Sequence, residues 1–88
     1  MPAAAPEAAM TAPTDTRRCQ YIVIRHVSTS PSGKTHTWRV LHRAHGYGLG
    51  LIVYRPGWRQ YVFQPNEVTE YSAGCLDDIS AFMKEMRL

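Results

Sequence analysis

Arginines and aromatic rings interleave in RPGWRQYVF, residues 55–63. A guanidinium presents a planar fork of donors that suits phosphate and carboxylate, and it stacks on rings. Trp, Tyr and Phe present faces on which bases can lie. The chemistry suggested is the grip of an anionic, ring-bearing polymer; the plainer reading is the inner face of a strand. The stretch reads mostly as a core strand, with Trp58 and the arginines as the part free to bind, and the charge of the surrounding chain bears on that part. Between Arg17 and Phe63 stand seven arginines and Lys34 with no Asp or Glu. All four histidines, His26, His36, His42 and His45, fall in the same interval. Glu7 and Asp15 precede it, and Glu67, Glu70, Asp77, Asp78 and Glu85 follow it. A formal net charge of +3 therefore hides a basic segment between two acidic ones. Such segregation points to nucleic acid or to an acidic protein surface. Against it stands a structural role, in which the arginines protect strand edges and pair with acids of a helix.

Other chemistry finds less support. PSGKT, residues 31–35, resembles a phosphate-binding loop, but that pattern needs a Gly where Ser28 stands and a helix where HTWRV follows. It reads as a hairpin loop with Lys34 at its tip. His42 and His45, with His36 and Cys19 or Cys75, raise zinc. No Cys-x-x-Cys is present, and the two histidines span a strand end and a turn, so surface histidines are expected and no metal or cofactor. Cys75 shares a stripe with Ile79 and Phe82, which favours packing over a reactive thiol. Asp77 and Asp78 are adjacent and point apart on a helix, which is poor for paired acid–base work. No enzyme is expected.

The elements that would hold these residues follow from periodicity. Residues 19–27, CQYIVIRHV, are β-branched and read as a strand. Residues 28–35 are a loop. Residues 36–43 form a second strand, with His36, Trp38, Val40 and His42 on one face and Thr37, Arg39, Leu41 and Arg43 on the other. HGYG turns the chain into a third strand, 49–55, and a fourth spans 58–64. A two-residue type II turn at Pro56-Gly57, with Gly57 at positive φ, would set Arg55 opposite Trp58, Tyr54 opposite Arg59 and Ile52 opposite Tyr61. One face then carries Ile52, Tyr54, Arg59, Tyr61 and Phe63. The other carries Leu51, Val53, Arg55, Trp58, Gln60 and Val62. Near the C-terminus, Cys75, Ile79, Phe82, Met83 and Met86 recur at helical spacing behind the N-cap residue Ser72. The fold class is α+β: a four-stranded antiparallel meander with one C-terminal helix packed on one face.

Residues 1–17, rich in Ala, Pro and Thr, bury too little to fold and read as a disordered tail; residues 18–88 form a single small domain. The tail lacks the pattern of a secretory signal, and Met10 is an alternative start. No apolar run suits a membrane span. Two widely spaced cysteines fit buried free thiols and a cytoplasmic location. So small a core makes a homodimer attractive, because pairing would bury a second face.

LGLIVYRPGWRQYVFQP and the later AGCLDDISAF resemble a group of short uncharacterised bacterial and phage proteins. That group carries a Trp-Arg-x-Tyr-x-Phe strand and then a Cys-Leu-x-x-Ile-x-x-Phe helix. The matching residues are Trp58, Arg59, Tyr61, Phe63, Cys75, Leu76, Ile79 and Phe82, within residues 36–86. Tyr71 stands for the group's aromatic before the helix, and Val53-Tyr54 replaces its common Lys-Trp. The resemblance implies the same fold and a phage or mobile-element setting, and it transfers no activity.

The expectation is a small non-enzymatic module that binds nucleic acid through a basic sheet face. Lys34, Arg39, Arg43 and Arg55 would contact phosphates and Trp58 would stack. The alternative is a phage or mobile-element inhibitor that docks on an acidic or nucleic-acid-binding surface of a host protein.

Overall fold

β-Branched runs bounded by Gly, Pro and Ser become strands, and the helical stripe becomes a helix. The computed structural model describes residues 15–86. Five strands follow in order: β1 Arg17–Arg18, β2 Ile22–Thr29, β3 His36–His42, β4 Gly48–Arg55 and β5 Gln60–Pro65; helix α1 spans Ala73–Met86. All neighbours pair antiparallel in the order β1-β2-β3-β4-β5, an uninterrupted meander. The expected sheet is thus present with one extra strand. Arg17 and Arg18 pair with Ile24 and Val23, and the chain turns at Cys19–Ile22, whose N–H···O bond measures 2.8 Å. Arg17 therefore belongs to the sheet and not to a tail; residues 1–14 of that tail lie outside the described residues.

The helix lies against one face. Ile22 and Ile24 of β2, Trp38 and Val40 of β3, Ile52 of β4 and Tyr61 of β5 are buried beneath Cys75, Ile79 and Phe82. The Phe82 ring meets Trp38 edge-on, with centroids 4.8 Å apart. Leu49 is the extra residue of a bulge between Val40 and Leu41's pairings, and the bulge sends its side chain into the same core. The neighbouring residue must be glycine: a Cβ at Gly50 would strike the Phe63 ring and the Gln64 carbonyl. Ser72 caps the helix as expected, its Oγ accepting from Cys75 N–H at 3.2 Å. Cys75 is buried and Cys19 half-buried, and both are free. Among the described residues no helix is long and apolar enough to cross a membrane.

The β4–β5 turn departs from expectation. Arg55 pairs with Gln60 and Ile52 with Phe63, so the connection has four residues rather than two. Both Trp58 and Arg59 donate their N–H groups to the Arg55 carbonyl, and Arg59, not Gly57, takes positive φ at 56°. The reason is twist: a type II turn splays antiparallel strands, whereas a helical turn closed by a left-handed residue lets them keep their twist. The register moves by two, an even number, so every strand residue keeps its expected face. Trp58 and Arg59 leave the strand.

Candidate functional site

The face turned away from α1 is set by strict alternation. Because Ile22, Ile24, Trp38 and Val40 point into the core, Val23, Arg25, Arg39 and Leu41 point the other way. Arg25 sits directly opposite Arg39 in the β2–β3 register, and Leu51 and Gln64 continue that row onto β4 and β5. Arg18, opposite Val23, adds a third arginine from β1, on the diagonal beside Arg25. These three and Arg55 are exposed, and Val23, Leu41, Leu51, Val53 and Val62 lie half-buried among them. Like charges set directly opposite on a sheet repel. Among the described residues no carboxylate pairs with Arg18, Arg25, Arg39 or Arg55.

Arg17 and Arg43 make contacts within the fold. Arg17 grips both carboxylate oxygens of Glu85, at 2.9 and 3.1 Å, and lies over the Phe82 ring at 5.3 Å. This contact holds the Glu85 carboxyl below its usual range and raises the guanidinium, while burial works against both. Arg43 donates from Nη1 to the Cys19 carbonyl at 2.9 Å. Burial, reinforced by Asp78, pushes the Cys19 thiol up, so it remains protonated at neutral pH.

The residues expected to bind are not gathered into one patch. Arg39 stands mid-sheet on the open face. Arg55 ends β4, and Trp58, 66% exposed, tips the following turn beside Arg59. Lys34 is exposed in the β2–β3 loop, at the same end of the meander. Arg43 follows β3 at the opposite end. Arg25, opposite Arg39, and Arg18, on the diagonal beside it, were missed. Alternation along YIVIRHV carried the signal for Arg25, since two buried isoleucines fix its face, but β1 had no signal of its own.

The histidines divide in the same way. At the hairpin end, His26 Nε2 lies 3.2 Å from His36 Nδ1, and the Thr29 hydroxyl is 3.0 Å from each. The His36 N–H donates to the Tyr61 hydroxyl at 3.2 Å. Burial, then the neighbouring His26, pulls His36 below the ordinary imidazole value. At the other end, the His42 ring packs against His45 and Tyr47 at 4.9 and 4.8 Å. Among the described residues no three His, Cys, Asp or Glu side chains cluster as a metal site would require.

No family model matches the chain, and neither a curated protein nor a solved structure matches it.

Proposed function

We propose that the protein is a binding module whose open sheet face grips nucleic acid through its phosphates, without catalysis. The observation that carries this reading is the Arg25–Arg39 pair, opposed across β2 and β3 with no carboxylate partner among the described residues and extended by Arg18. A sheet gains nothing from that arrangement; an anionic ligand supplies the missing counter-charge. Arg55 and Lys34 extend the basic surface toward the hairpin end, where Trp58 offers an exposed ring. Titration of labelled DNA and RNA across a salt series tests the reading, with the Arg25→Ala/Arg39→Ala double variant as control. Binding should weaken steeply with salt and be lost in the variant.

One feature favours a second reading. The half-buried aliphatic stripe Val23, Leu41, Leu51, Val53 and Val62 offers apolar contact but no base-stacking ring. It suits an acidic protein partner, such as a host surface that a mobile-element inhibitor would block. A partner protein would bind with a shallower salt dependence and would use the aliphatic stripe as its anchor.

A further inference from the structure

At the end of the sheet away from Trp58 an open cleft of about 780 Å³ lies between the β3–β4 loop and the start of α1. Its walls include Tyr21, His42, Arg43, Tyr47, Tyr71 and Ser72. The size suits one small planar ligand with its substituents. Tyr47 is 52% exposed and Tyr21 44%, so two large rings stand at the cleft without being needed in the core. Tyr47 and His45 lie parallel within 4°, with centroids 6.1 Å apart, and His42 backs both. Tyr21 is held in place by the helix: its ring packs so closely on Gly74 that a Cβ there would collide with it. The cleft thus has aromatic walls that are fixed before any ligand arrives.

A second groove begins where this one ends. Arg18, Val23, Arg25 and Leu41 line it on the open sheet face, and His42 and Arg43 line both. Arg43 is anchored at the junction by its bond to the Cys19 carbonyl and by its own N–H to the Tyr21 carbonyl at 3.1 Å. Among the described residues no acid lines the arginine groove, whereas the aromatic cleft has Glu70. That placement separates a phosphate track from a ring site whose acid can accept from a base amino group.

Resting on the nucleic-acid reading above, we infer that the ligand is single-stranded, with one unpaired base entering the cleft against Tyr47 and its phosphate on Arg43. The adjoining phosphates run onto Arg18 and Arg25. A base held in a duplex presents no face to Tyr47, so the cleft discriminates single strands from duplexes.

The test is fluorescence anisotropy of the full chain with a short oligodeoxycytidine strand and a mixed-sequence duplex, using the parent, Tyr47→Ala and Tyr47→Phe. Circular dichroism and thermal melts confirm that the variants fold. Loss of one stacked base should weaken single-strand binding by roughly tenfold or more in Tyr47→Ala. Tyr47→Phe keeps the ring and should keep the affinity, and duplex binding should be weaker and indifferent to both changes. Equal single-strand affinity in folded Tyr47→Ala overturns the inference and leaves the arginine face standing. If the parent binds neither probe at low salt, the nucleic-acid reading fails, and this inference with it.

Discussion

Arg25 and Arg39 expose a cost that the fold accepts without return. Two guanidinium groups face each other on adjacent strands, so replacing one with a neutral strand former should relieve repulsion. We expect Arg25→Thr to raise stability by roughly 0.2–1 kcal/mol in urea denaturation while weakening nucleic-acid binding. A destabilised variant would mean that Arg25 supports the sheet. His36 makes a different kind of prediction. Its folded value lies below 6.5, so on acidification the unfolded chain takes up a proton that the folded chain resists. Stability should therefore be whole above about pH 6.5 and fall as pH drops toward the lower folded value. Glu85 does not confuse the test, because its contribution is present above 4.5 and lost only below. Urea midpoints between about pH 7.5 and 5.5 should decline in the parent and stay flatter in His36→Gln; an equal decline in both would remove His36 from the account. The Arg17–Glu85 bridge is itself worth little, on the order of 0.5 kcal/mol once solvent screening of the half-exposed carboxylate is allowed for.

At the scale of elements, helix and sheet were legible and the connections were not. Ser72 and the apolar stripe of α1 both point to the same helix, and the cap bond is in place. The strand faces were legible because alternation survives any even error of register. The β4–β5 turn was misread because Pro56-Gly57 is a strong local turn signal, while strand twist, a property of the whole hairpin, selected four residues and put positive φ on Arg59. That residue has a Cβ where glycine would be relaxed. Arg59→Gly should stabilise the hairpin by about 1 kcal/mol, read as a raised urea midpoint with unchanged slope. A lowered midpoint would show that the Arg59 side chain contributes more than its backbone costs. The strand at Arg17–Arg18 was invisible for a related reason: two residues have no periodicity, and only their pairing with Val23 and Ile24 defines them.

Over the whole molecule, charge is sorted by layer. Beside the helix Arg17 is engaged by Glu85, and at one end of the sheet Arg43 is anchored on the Cys19 carbonyl. The open face keeps Arg18, Arg25, Arg39 and Arg55 exposed around an aliphatic stripe. The basic segment was legible as composition, but which cations it leaves for a partner depended on pairings between residues far apart in the chain. Lys34, Arg43, Arg55 and Trp58 fall at two ends of the sheet because a meander sends alternate loops to opposite ends. The central claim is that the mid-sheet arginines contact phosphates, and the measurement that reaches it most directly is the salt dependence of binding. Log affinity for single-stranded DNA should fall linearly with log salt. The Arg25→Ala/Arg39→Ala variant, still folded, should show a slope shallower by about 1.5, two phosphate contacts fewer. Identical slopes in parent and variant, or no binding by the parent at low salt, would contradict the account.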